Sequence, residues 1–519
     1  MNRTTLFRSM IGFAMLLAAA FALFAAIGNQ THGAIFFGEI FVVNSTGDQD
    51  DAFPGDGNCE TQVGNGVCTL RAAIEEVDRR NNGGDGISFS IPTTDPGYSN
   101  GVWTIRPASV LPDIGVSVNI TGPGASQLVV FPYYVGYRCF RVTTTGTVTF
   151  SALTIYEAIV QNDFGGGVYN ASTGTVNINN CTLSNNESFG SSAGGGAVYN
   201  ATTGTVNINN SLITRSYVQN QGGAIYNNTG TVTISSSTLT ENYTGHPPGA
   251  YSSARGGAVF SYLGSLNVLN STFSYNTSGN GGAIYSSGSA MTITRSTLNA
   301  NFADTSGFEQ GGGGIFIEGG TVNIVNSTLS GNGVLTFYGG GGGAILADQG
   351  TLNLTNSTVA NNSVFGRETE GGGGVLAYAA VHVKNTIIAL NSAQASPIYS
   401  QSGAPGPDVQ GVFSSSGFNL IGKKDGSTGF TAATDKKGTV TSPLNPGLDP
   451  KGLRNNGGPT QTIALVSGSL AIDKGTSAGL TGTLTTDQRG LARTVDRSAA
   501  ANATGGDGTD IGAFEFGAQ

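Results

Sequence analysis

Between Gly165 and Asn391, apolar and polar residues alternate in strings of only four to six, separated by Gly, Asn and Ser. In Thr175-Val176-Asn177-Ile178 the valine and isoleucine fall on one side, the threonine and asparagine on the other. A period of two predicts strands with one buried face, not helices. These strings belong to a longer phrase: Gly-Gly-Ala-Ile-Tyr, then Gly-Thr-Val-Asn-Ile, then Ser-Thr-Leu-x-x-Asn. The phrase recurs eight times with drift, and its valine position runs 176, 206, 232, 266, 291, 322, 352, 381. A divergent earlier copy holds Gly146-Thr147-Val148. A period of roughly 20–50 residues marks a solenoid, a propeller or an array.

No phrase contains a ten-residue helical stretch, which argues against helical repeats, and three strands are too few for a four-stranded propeller blade. The pattern therefore predicts an all-β, right-handed parallel β-helix with three-strand coils. Asn180, Asn210, Asn270, Asn326 and Asn356 occupy one position in successive copies, so stacked amide ladders are expected. Insertions fall mostly between x-x-Asn and the next Gly-Gly, which places them as loops along one edge of the solenoid. They carry Phe189, Phe337 and Phe365 beside the candidate binding residues Tyr217, Tyr243, His246, Tyr251, Phe302, Phe308 and Tyr338. Rigid rings among small polar groups suit recognition of sugars or proteins, unless they fold back to pack the loops themselves.

The ends read differently. Residues 1–33 hold Arg3, Arg8 and an apolar run from Met10 to Gly28, expected to be a signal peptide or an uncleaved anchor. Either way the chain is exported, with no membrane span expected in the mature protein. Residues 34–84 form a predicted N-terminal cap. Leu70, Ala73, Ile74 and Val77 share one face of an amphipathic helix, charges fill the other, and Asn81-Asn82-Gly83-Gly84 stops it. Such a helix would cover the open end of the solenoid. Cys59 and Cys68 lie close together in an exported chain, which predicts a disulfide. Cys139 and Cys181 are expected to be free and at least partly buried. Asp48, Asp50, Asp51 and Asp56 could hold Ca²⁺ or form a solvated acidic turn; their spacing is not that of an EF-hand. Residues 85–411 supply the coils and 412–519 a C-terminal capping domain. In that domain Asp473, Asp487, Arg489, Asp510 and Glu515 read as a buried ion-pair network rather than a site.

Composition narrows the functions. The 519 residues include 82 Gly, only 11% are charged, and the net charge is −9. No Lys precedes Lys384, so a nucleic-acid partner is not expected, since phosphate contact needs clustered cations. A polysaccharide lyase would need a cationic base and a hydrolase two facing carboxyl groups. Arg215, Arg255 and Arg295 occupy unlike repeat positions. Glu309 with Glu368 or Glu370 is the one acid pair that neighbouring loops could bring together. No cofactor is expected beyond the Ca²⁺ considered above.

Three stretches resemble known bacterial families. Val42-Val43-Asn44-Ser45-Thr46, Pro54-Gly55-Asp56-Gly57 and Cys68-Thr69-Leu70-Arg71-Ala72-Ala73 resemble the CSLREA domain, with Thr and Ala replacing its Ser and Glu. Gly222-Gly223-Ala224-Ile225 with Phe273-Ser274-Tyr275-Asn276 resembles the GGAI/FxxN repeats of polymorphic outer-membrane proteins. Gly417-Phe418-Asn419-Leu420-Ile421-Gly422, Asn456-Gly457-Gly458-Pro459-Thr460 and Asp510-Ile511-Gly512-Ala513-Phe514-Glu515 resemble the choice-of-anchor Q domain. These resemblances imply a surface-exposed, often adhesive, passenger. The expectation is a secreted or cell-surface, adhesin-like β-helix protein that binds a polysaccharide or a cell-surface protein. A polysaccharide-degrading enzyme and a structural envelope protein are the alternatives.

Overall fold

The computed structural model describes residues 38–132, 136–190, 193–245, 254–305, 310–336, 340–366, 371–395 and 407–518. The expected signal segment lies outside them. From Ile40 onward the chain forms one compact unit, a parallel β-solenoid. The valine position of the phrase pairs rung to rung: Val176 with Val206, then Val232, Leu266, Met291, Val322, Leu352 and Val381. Earlier rungs at Val118 and Val148 extend the ladder below, and Phe413 extends it above. Along each rung the apolar residues point inward. Val176, Ile178, Val206 and Ile208 are fully buried in a core that runs the length of the solenoid.

Many coils differ from the expectation in one respect: they have four short strands, not three, whereas in later coils the first two are one strand, as in Ile315–Val325, Ile345–Thr355 and Val375–Lys384. One representative coil runs Val168–Asn170, Thr175–Asn179, Thr182–Ser184 and Glu187–Phe189. Stacking gathers them into three long sheets. The first and second strands belong to a 20-stranded sheet, the third to a 14-stranded sheet and the fourth to a 9-stranded sheet. The fourth strand occupies the place expected to be loop. The glycines before the first strand permit this close stacking. A Cβ on Gly282 would collide with the carbonyl oxygen of Gly313 in the next coil.

The expected asparagine positions serve the corners. Asn180, Asn210, Asn270, Asn326 and Asn356 all adopt the left-handed conformation, with φ between 47° and 54°. Asn tolerates that region better than other residues with a Cβ. Of these, Asn210 donates to the Asn180 amide oxygen at 2.6 Å. The continuous ladder lies one corner further on, at the Asn that ends the phrase. Asn242, Asn276, Asn301, Asn332, Asn362 and Asn391 each donate Nδ2–H to the Oδ1 of the next, at 2.9–3.0 Å, and the last donates to Asp408. Every member is buried. Each Oδ1 after the first also accepts a backbone N–H from the preceding rung, such as that of Asn276 on Asn301. A buried amide left unpaired would cost about 1–3 kcal/mol, so the ladder is a requirement of the fold.

At the N-terminal end, helix Leu70–Arg80 adds Leu70, Ala73, Ile74 and Val77 to the solenoid core. Thr69 caps its start by accepting from Ala72 N–H, and Asn81 ends it with φ 51°. Its opposite, charged face is not simply solvated. Arg71 and Glu76 are both buried. Arg71 binds Asp48 at 2.9 Å and the Ser109 and Val110 carbonyls, while Glu76 accepts N–H donors from Gly55 and Gly57. The helix thus ties down the loop that precedes it. Cys59 and Cys68 form the expected disulfide, and Cys139 and Cys181 are free and buried.

The C-terminal region first continues the coil, with Val409–Ser415 and Leu420–Ile421 adding rungs to two sheets. Beyond Leu444 it turns back and lies against the outer face of the 14-stranded sheet. Ile463, Leu465, Ile472, Ile511 and Phe514 pack there with Ala360, Ile387 and Ala389. Gln488 reaches across two coils, donating to Thr297 Oγ1 at 3.0 Å and accepting from Thr328 Oγ1 at 2.6 Å. The expected polar network is present and buried, with Arg489 paired to Asp487 at 2.7 Å. Its centre, however, is Arg493, fully buried 3.9 Å from Glu515 and bonded to Asn326 Oδ1 and the Gly512 carbonyl.

Candidate functional site

The outer face of the nine-stranded sheet gathers most of the described ring residues expected in loops. Its strands include Glu187–Phe189, Tyr217–Val218, Tyr243–Thr244, Thr277–Ser278 and Phe302–Thr305. Their first residues stack in register: Glu187, Tyr217, Tyr243, Thr277 and Phe302. The second residues, Ser188, Val218, Thr244, Ser278 and Ala303, are buried on the inner side. Alternation along these very short strands therefore turns the rings outward. Tyr217, Tyr243 and Phe302, expected in loops, are strand residues held rung upon rung.

The ring centroids of Phe189 and Tyr217 lie 5.4 Å apart, and those of Tyr217 and Tyr243 4.7 Å apart. Tyr217 is 8% exposed and Tyr243 43%, so the row passes from covered to open along the solenoid. Phe302 stands two rungs beyond Tyr243, across Thr277. At the corner preceding this sheet, Arg215, Glu241 and Tyr275 occupy equivalent left-handed positions in successive coils. Arg215 and Glu241 pair at 2.7 Å, and Tyr275 is among the most exposed rings.

The electrostatics of the row are one-sided. Among the described residues, its strands contain no Lys, Arg or His, but they contain Glu187 and Asp304. Burial, and then Glu157 on the rung below, raises the Glu187 pKa. Burial, followed by neighbouring phenols and Glu187, raises that of Tyr217; burial and then Glu187 do the same for Tyr243. Both phenols therefore remain protonated at neutral pH and present O–H donors beside apolar ring faces.

His246, Tyr251, Phe308 and Tyr338, and the acids Glu309, Glu368 and Glu370, lie outside the described residues. Asp48 is engaged by Arg71 and by Ala108 N–H, and Asp50 lies 3.6 Å from the same arginine. Asp51 turns toward Glu76, and burial pushes its pKa up to about 6. Asp56 accepts from Asn58 N–H. Among the described residues, no three His, Cys, Asp or Glu side chains are grouped to hold a metal ion. Sequence reasoning gave neither Glu187 nor Tyr275 a binding role. Glu187 directly follows, and Tyr275 directly precedes, the Asn that ends an x-x-Asn string, and that recurring position was the signal available for each.

The fold defines a repeat-built parallel β-helix with an aromatic outer row. Residues 270–287, one strand-corner-strand passage of that row's coil, match the model of the Chlamydia polymorphic membrane protein repeat. No curated protein and no solved structure matches the chain. Among the described residues, no helix is long and apolar enough to cross a membrane.

Proposed function

We propose that this protein is an exported, adhesin-like β-helix of the bacterial surface that binds an uncharged glycan along its nine-stranded sheet. The carrying observation is the registered row of Tyr217, Tyr243 and Phe302 with carboxylates and no cations among its described strand residues. Sugar rings present apolar C–H faces that stack on aromatic rings, and hydroxyls that meet phenol and carboxylate groups. An acidic polysaccharide would meet the Glu187 carboxylate beside the rings, which disfavours it. The matched repeat, which in its family belongs to a membrane protein, supports the surface location, and the apolar run Met10 to Gly28 would direct export.

The test is a glycan array probed with the purified chain and with Tyr217→Ala/Tyr243→Ala. Binding of neutral glycans that falls at least to background in the variant is the expected result. Binding confined to uronic-acid polymers, or unchanged in the variant, would sink the reading. A second reading keeps the face and adds hydrolysis, because Glu187 has a raised pKa beside Glu157 and next to the rings. Shortened products from a bound glycan, abolished in Glu187→Gln, would establish it.

A further inference from the structure

The two ends of the solenoid differ in a way that binding along its side leaves unexplained. The 20-stranded sheet starts at Ile40–Val43 and finishes at Ser427–Thr428. Among the described residues, each of these strands pairs with a neighbour on one side only. Helix Leu70–Arg80 closes the core at the first end but leaves this edge open. Val43 accepts an N–H from Ser90 on the next rung, so alternation turns the Val42 N–H and carbonyl off the end of the sheet. At the far end, Lys436–Lys437 is the last strand of the 14-stranded sheet. Lys436 and Gly438 donate N–H groups to the Asn419 and Ile421 carbonyls beneath, which turns the Lys437 main chain off that end.

The side chains at the two ends are complementary. Residues 40–80 hold eight carboxylates and three arginines. Asp48 and Glu76 are occupied by Arg71 and by backbone N–H donors, but the Asp50 side chain is 78% exposed and Asp56 is exposed as well. The far end carries Lys423, Lys424, Lys436 and Lys437 against Asp425 and Asp435. Lys423 and Asp435 are buried, whereas Lys424 and Lys437 are exposed. The outer face of the 20-stranded sheet also bares apolar side chains at its two limits, Ile40 and Val42 at the first and Val412, paired with Thr428, at the last. Charges on edge strands ordinarily prevent pairing. Protection alone would be served by one sign at both ends, since like ends repel. Opposite signs instead steer one end toward the other.

From these two ends we infer that copies of this chain stack head to tail, the lysine-rich end of one on the acidic cap of the next, into filaments along the solenoid axis. A copy translated along that axis keeps its strand direction, so the parallel sheet continues from Ser427–Thr428 into Ile40–Val43 of the next copy. The contact joins two different surfaces, so no symmetry closes it and it propagates. The charges set the orientation, and the apolar side chains at the junction leave water.

The experiment is sedimentation velocity with negative-stain electron microscopy on the full chain, over a range of protein and salt concentrations. Rods that lengthen with protein concentration and shorten with salt are expected. Two charge-reversed variants are compared after circular dichroism confirms their folding: Lys424→Glu/Lys437→Glu and Asp50→Lys/Asp56→Lys. Each alone is expected to lose the rods, because both of its ends then bear one sign. An equal mixture of the two is expected to regain them, because every end then meets the opposite sign on the other variant. A parent chain that stays monomeric at all concentrations overturns the inference. So do rods that survive either reversal, closed dimers in place of rods, or a mixture of the two variants that stays monomeric.

Discussion

The coils and the C-terminal region hold themselves together in opposite ways. In the coils one device is repeated: Asn242 does for its rung what Asn332 does three rungs later. In the flank beyond Leu444 the central polar contact does not recur. Arg493 has no equivalent at another level, and it meets Glu515, Asn326 and Gly512 at one point. Repetition spreads stability over many equal contributions, whereas the flank concentrates it in a few residues. The lesson is that an unspecialised contact can be essential in sum and modest individually.

The largest effect should come from breaking the singular centre. Arg493→Met leaves Glu515 and Asp510 buried beside one another without their cation, and is expected to destabilise the flank by about 3–5 kcal/mol. Limited proteolysis should then cut residues beyond Leu444 first, while the coils persist. Equal loss of both regions would show that the flank and coils unfold as one. A smaller effect is expected from Asn301→Ala, which strands the Asn276 amide N–H and the Asn332 Oδ1 lone pair. A cost of about 1–3 kcal/mol, read by thermal unfolding, fits one rung of a repeated device.

A pH dependence confined to the flank is also expected. Burial and its neighbour Asp510 push the Glu515 pKa up to about 8 from an ordinary 4.5. Between those values the unfolded chain has released this proton and the folded chain retains it. Stability from this group is therefore full below about 4.5 and declines as pH rises through about 8. The melting temperature of the flank should fall over that window in the parent chain and fall less in Glu515→Gln. An increase with pH would contradict the assignment.

The coil register was legible because it repeats. The eight valine-type positions, 176 through 381, pair with one another as read, since a one-residue slip would turn every apolar side chain outward. The fourth strand was not legible. Tyr217–Val218 and Tyr243–Thr244 have two residues each, too few for alternation to stand out from loop composition. The consequence fell on the candidate site: Tyr217, Tyr243 and Phe302 were found as rings but placed on loops. The asparagines at 180, 210, 270, 326 and 356 were recognised as repeating, yet their left-handed backbone, not side-chain stacking, accounts for all five. Gln488 and Arg493 lie 160 and 167 residues from Thr328 and Asn326, and no local pattern announces partners at that distance.

The amide ladder that ends on Asp408 also bears on how such a chain can change length. Every rung receives the same donor and offers the same acceptor, and the last amide donates to the Asp408 carboxylate. A whole coil could be duplicated or excised by recombination between repeats, and the neighbouring amides would meet again as if nothing had happened. Removing half a coil would instead set a leucine against an amide. Gene rearrangements in this region would thus be filtered into whole-coil steps, and the faces of the solenoid would lengthen or shorten together.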